Sequence, residues 1–148
     1  MKRLAIAFVP LLLIPAARAQ DLPAGKGKDL LEKVCTVCHD LDRVASNFTT
    51  KQSWEDTINE MVSLGADGTK DELQTILNYV AKYFGPMVEV NKAAAKELQT
   101  ELEITAKEAE AIVQYRKDKG NFKDWADLGK VSGLDMKKLE PLKNRITF

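Results

Sequence analysis

One histidine and two cysteines are all that this 148-residue chain contains of those types. With a single imidazole there is no second histidine to share acid–base work, and no acid–base pair stands out, so an enzyme is not expected. The formal net charge is zero, which argues against a general binder of polyanions. After the first 19 residues no apolar run is long enough to span a membrane. The remainder is therefore expected to have no stable membrane span.

The first 19 residues read as an export signal. Lys2 and Arg3 precede an apolar run from Leu4 to Ile14, and Ala17-Arg18-Ala19 has the small-x-small form of a cleavage site. Residues 1–19 are accordingly a signal peptide, and the protein is expected to be periplasmic or secreted. No cysteine directly follows the run, which excludes a lipoprotein anchor. Roughly 130 residues remain, enough for one ordinary domain or two small ones. Charge divides them: residues 20–86 carry seven Lys and Arg against eleven Asp and Glu, and residues 87–148 twelve against eleven. The first half is mildly acidic and the second nearly neutral.

Both cysteines and the histidine fall in one pentapeptide, Cys35-Thr36-Val37-Cys38-His39. This spacing is that of a c-type haem attachment site. On a helix the two thiols stand about one turn apart and can reach two vinyl groups on one porphyrin edge, while His39 offers a neutral nitrogen to the iron. A disulfide across so small a loop would constrain little of the unfolded chain. A thioredoxin-like dithiol wants a βαβ context, and no strand precedes Cys35. A zinc site would lack an evident fourth ligand. One covalent haem c per chain is the expectation.

Around the motif the chain reads as helical. Leu30, Leu31, Val34 and Val37 recur at helical spacing from Asp29 to Cys38. Leu41 to Thr50 looks irregular, and Ser53 is a plausible cap for a helix carrying Trp54, Ile58, Met61 and Val62. Thr69 caps a last helix through Phe84, which Gly85-Pro86 stops. The phrase from Gly27 to His39 resembles the first helix of class I cytochromes c. The phrase Trp54 to Met61 resembles a segment of small haem subunits associated with periplasmic dehydrogenases. These resemblances imply His39 as the proximal and Met61 as the distal iron ligand, with Met87, a lysine or a vacant position as alternatives for the latter. Haem would supply much of the core, and Tyr79, Tyr83 and Phe84 would pack where the last helix crosses the first.

From Val90 the composition becomes rich in alanine and lysine. Leu98, Leu102, Ile104, Ala109, Ile112 and Val113 suit two short helices closing on one another, and Leu128, Val131, Leu134, Leu139, Leu142 and Ile146 repeat the arrangement. Thr105 with Glu108 forms a capping box. Val90 to Gln99, Ile104 to Arg116, Gly120 to Leu128 and Val131 to Asp135 together resemble helix-hairpin-helix domains of the bacterial competence DNA-receptor type. DNA-binding members carry a Gly-x-Gly turn in each hairpin, whose amides approach phosphates closely. Here the turns read Glu103-Ile104-Thr105 and Gly133-Leu134-Asp135, so glycines are lost and carboxylates have entered. Lys137, Lys138, Lys143 and Arg145 read as a solvated helix face. On these grounds DNA is an unlikely partner. A similar degenerate fold serves protein docking in the small extrinsic lumenal subunit of photosystem II.

The expected architecture is all-α: a small cytochrome c domain (residues 20–86) followed by a double helix-hairpin-helix domain (residues 87–148). The cofactor is held by Cys35, Cys38, His39 and Met61, with His39 and Met61 on the metal. The expected function is that of a periplasmic one-electron carrier or subunit, docked through its second half onto a redox partner such as a dehydrogenase or oxidase. The alternatives are an envelope DNA-binding protein with a haem sensor, and an open-site haem sensor or peroxidase.

Overall fold

The computed structural model describes residues 22–148; the signal peptide expected at residues 1–19 lies outside them. Helix α1 (Lys28–Cys35) buries Leu31 and Val34. It was expected to run through Cys38, but it stops at Cys35, where the Thr36 hydroxyl donates to the Glu32 carbonyl at 2.7 Å. Cys38 and His39 therefore lie in the turn beyond it. A short helix α2 (Asp42–Ala45) occupies the stretch expected to be irregular and buries Val44 and Ala45.

Helix α3 (Lys51–Ser63) is capped by Thr50, not Ser53: the Thr50 hydroxyl accepts the Ser53 amide at 3.2 Å. Helix α4 (Lys70–Tyr83) begins at Thr69 in a full capping box with Glu72. The side chains of α3 and α4 meet around Trp54, whose indole N–H donates to the Phe84 carbonyl at 2.9 Å.

Two tyrosines tie α4 to the chain leading into α1. The Tyr79 hydroxyl donates to the Pro23 carbonyl at 2.6 Å and that of Tyr83 to Ala24 at 3.1 Å. Gly27 makes this approach possible. Its φ is +109°, and a Cβ there would lie 2.8 Å from Tyr79 Cβ, so both conformation and space require glycine.

The second half contains strand β1 (Val88–Glu89), helices α5 (Ala95–Glu101), α6 (Ala106–Lys119), α7 (Trp125–Leu128) and α8 (Met136–Leu139), a 3-10 turn (Glu140–Arg145) and strand β2 (Ile146–Thr147). Its core of Val88, Val90, Leu98, Leu102, Ile112, Leu128 and Leu139 is fully buried. Each such side chain contributes about 1.5–3 kcal/mol on removal from water. The expectation of an all-α chain holds except for one parallel strand pair, Val88 with Ile146 and Glu89 with Thr147.

The halves are joined by more than a linker. Leu142, from the end of the chain, packs in the core of the first half. Arg145, expected on a solvated face, is buried. Its guanidinium donates to the carbonyls of Lys82 (2.7 Å), Pro86 (3.0 and 3.2 Å) and Glu101 (3.0 Å), and pairs with the Glu101 carboxylate at 2.8 Å. Gly85 lies under it: a Cβ there would meet the Ala81 carbonyl at 2.6 Å and the guanidinium at 2.7 Å.

Arg145→Met keeps much of the side-chain volume and removes every donor, leaving carbonyls of both halves and one carboxylate unpaired. Denaturant unfolding should show destabilisation of about 2–4 kcal/mol; a loss below 1 kcal/mol would contradict this view of the junction.

Candidate functional site

Two features outside the cores carry polar chemistry. The first is a cavity of about 570 Å³ in the first half, within the size range of small-molecule and cofactor sites. Leu31 and Val34 of α1 and Ile76 and Val80 of α4 give it an apolar lining. Cys35, Cys38 and His39 also border it, and α3 contributes Met61. The fold thus gathers on one cavity all four residues singled out in the sequence, from the end of α1, the turn beyond it and α3.

His39 Nδ1 lies 2.7 Å from the Asp40 carbonyl. A carbonyl oxygen only accepts, so Nδ1 carries a proton, and in the neutral ring Nε2 is the nitrogen with a free lone pair. Both thiols are free. Burial pushes the Cys35 thiol above its ordinary value, the reverse of the lowered pKa that activates redox dithiols. Among the described residues no group of three or more His, Cys, Asp or Glu side chains is placed to hold a metal ion, so the zinc alternative has no ligand set. Two thiols, an imidazole and a thioether thus border one largely apolar space.

The second feature is the pair of hairpin turns in the second half. Glu103 at φ +52° and Gly133 at φ +82° occupy matching left-handed positions, one in each turn. The first turn leads into α6 at Thr105, the second into α8 at Asp135. The two helix starts converge on Glu108: its carboxylate accepts the Thr105 amide at 2.8 Å, the Thr105 hydroxyl at 2.7 Å and the Asp135 amide at 3.2 Å. Asp135 in turn accepts the amides of Lys137 and Lys138. Amides that a glycine turn would leave for a phosphate are therefore satisfied by the protein's own carboxylates.

Around these turns stand Lys107, Lys137 and Lys138, all exposed. Lys138 Nζ also donates to the Glu103 carbonyl, and the Glu103 carboxylate pairs with Lys82 of α4 at 2.6 Å. The bridging role of Glu108 escaped sequence reasoning because its partner Asp135 lies 27 residues away; only the local capping box was visible.

Comparison with known proteins bears on the second feature. Residues 85–147 match the helix-hairpin-helix motif family. ComE operon protein 1 of Bacillus subtilis is 40% identical over 63 residues, covering 43% of this chain and 31% of that protein. An uncharacterized protein of Haemophilus influenzae is 35% identical over 106 residues, covering 71% of this chain and 87% of that protein. The latter match is longer than the helix-hairpin-helix segment, so it reaches into the first half. The chain spans about a third of the length of the Bacillus relative. No solved structure matches.

These matches overturn two expectations. The reading as a one-electron carrier with a redox-protein partner rested on the first half alone and reduced the second to docking. The half that matches a named family and a named relative is the second, through the helix-hairpin-helix motif and ComE operon protein 1, and neither match supports the haem and electron-transfer reading. The dismissal of DNA as a partner also falls. Net charge, on which it partly relied, averages over the whole surface, whereas the fold collects Lys107, Lys137 and Lys138 at two adjoining helix starts. Arg145, counted with the surface cations, is buried.

The hydrogen bonds from Thr105 and Asp135 hold the Glu108 carboxyl below its ordinary value of 4.5. In acid the folded protein therefore binds fewer protons at Glu108 than the unfolded chain does. The stability this gives is fully present above pH 4.5 and is lost as pH falls below it. Wild type should lose more stability than Glu108→Gln between pH 5 and pH 3, measured by denaturant unfolding at each pH; parallel losses would show that Glu108 does not bridge the turns.

Proposed function

We propose a function from one premise: the chain belongs to the same family as the Haemophilus influenzae protein, and its residues 85–147 form a helix-hairpin-helix domain. The reading is an exported, DNA-binding protein of the cell envelope, with the hairpins as the DNA-binding element and the first half as a ligand-bearing sensor domain. The observation that carries it is the two adjoining helix starts rimmed by Lys107, Lys137 and Lys138, in a domain resembling competence DNA receptors.

Carboxylates already satisfy the turn amides, so phosphates are contacted mainly through lysine side chains. Such contacts position a duplex without reading its sequence. Binding is accordingly sequence-independent, modest in strength and steeply dependent on salt.

The cavity of the first half is proposed to hold haem c. Cys35 and Cys38 would form the thioethers, His39 Nε2 would be the proximal ligand and Met61 the distal one. When bound, the group supplies an iron whose sixth position can report on redox state or on small ligands. The chain's own part is to enclose the ring in apolar side chains and to hold the imidazole in one tautomer through the Asp40 carbonyl.

Fluorescence anisotropy with a short labelled duplex tests the DNA reading. Wild type should bind at low salt, and log K should fall linearly with log salt. Lys137→Gln with Lys138→Gln should weaken binding to unrelated duplexes alike and flatten the slope by about 2. No binding at low salt would remove this reading. The cofactor is tested separately: protein exported from a host that matures c-type cytochromes should carry haem that survives denaturation, and Cys35→Ser with Cys38→Ser should abolish the attachment.

A further inference from the structure

The polar side chains around the first-half cavity are unequally occupied. The Trp54 indole is spent on the Phe84 carbonyl at 2.9 Å and the Thr57 hydroxyl on the Ser53 carbonyl at 2.8 Å. Arg43 and Asn47 also line the cavity. Among the described residues the Arg43 guanidinium enters none of the ion pairs. Arg43 is the only arginine of the acidic first half, residues 20–86. It stands on α2 and Asn47 just past that helix's end, four residues on, so both present donors to the same rim.

A rim that carries a guanidinium and an amide, the guanidinium outside every ion pair among the described residues, above an apolar interior, suits a ligand with an apolar body and an anionic end. A guanidinium fork matches the two oxygens of a carboxylate. We infer that Arg43, helped by Asn47, binds the carboxylate of an amphiphilic ligand seated in this cavity, either the propionates of haem or the head of a free fatty acid. The inference rests on the reading of the cavity as a ligand site and adds the residue that selects for an acid over a neutral molecule. Helix α2 brings to the cavity the only Lys or Arg among its lining residues.

The test has two arms on the full chain. In the first, haem-bearing wild type and Arg43→Gln are titrated with acid and base while the visible spectrum is followed. Loss of the guanidinium raises a propionate pKa, so the spectral transition should move up by about one pH unit, with Arg43→Lys between the two. In the second, the Cys35→Ser, Cys38→Ser protein is titrated with dodecanoic acid and with dodecanol by calorimetry, with and without Arg43→Gln. Arg43→Gln should weaken the acid about tenfold and leave the alcohol unchanged.

A shift in the first arm alone assigns the carboxylate to haem; a selective loss in the second assigns it to a fatty acid. If a ligand binds and Arg43→Gln moves neither the transition nor the preference for acid over alcohol, the inference is overturned while the cavity reading stands. If no haem attaches and neither amphiphile binds, both fall together.

Discussion

The buried guanidinium of Arg145 is the constraint on which the arrangement depends. It satisfies backbone carbonyls at the end of α4, in the segment after it and at the end of α5, and it neutralises Glu101. Burying a cation is costly unless its donors are used. Here all three nitrogens are occupied, so the cost is offset only when both halves are in place around it. That makes the interface specific: no other docking of the hairpins offers the same set of acceptors. Gly85 completes the constraint, because any side chain there would displace the guanidinium.

With the halves fixed in this way, the two candidate features belong to one body. The cavity is bordered by α4, and the same helix sends Lys82 to pair with Glu103 in the first hairpin turn. A change in α4 on filling the cavity has a direct path to the turn that faces DNA in the proposed function. The exposed pair is worth little as stability, but it links the helix that borders the cavity to the first hairpin turn.

What was legible in the chain was what local chemistry decides. Thr105 with Glu108 forms the capping box as read, and Thr69 caps α4 as read, with Glu72 completing a second box that sequence reasoning had not named. Of the apolar residues marked on α6, Ala109 and Ile112 are buried and Val113 is half-buried. The pentapeptide around His39 was legible because its cysteines and histidine occur nowhere else in the chain. Long-range pairing was not legible. Arg145 looks like one more cation beside Lys143 until Pro86 and Glu101 are brought to it, and Glu108 looks like a cap until Asp135 arrives. The two-residue strands carry no periodicity to detect. The error over DNA has the same root, since net charge is blind to which lysines the fold places side by side.

The parallel pairing of Val88 with Ile146 sets when this protein can finish folding. The partners are separated by almost the whole second half, and Leu142, four residues before Ile146, belongs to the core of the first. Without Leu142 the core of the first half has a gap. The helices of the hairpins can close locally, as short loops allow, but the last seven residues must arrive before either core is complete. The boundary between the halves is therefore a boundary along the chain and not in time: neither half is complete until the segment from Leu142 to Thr147 is in place.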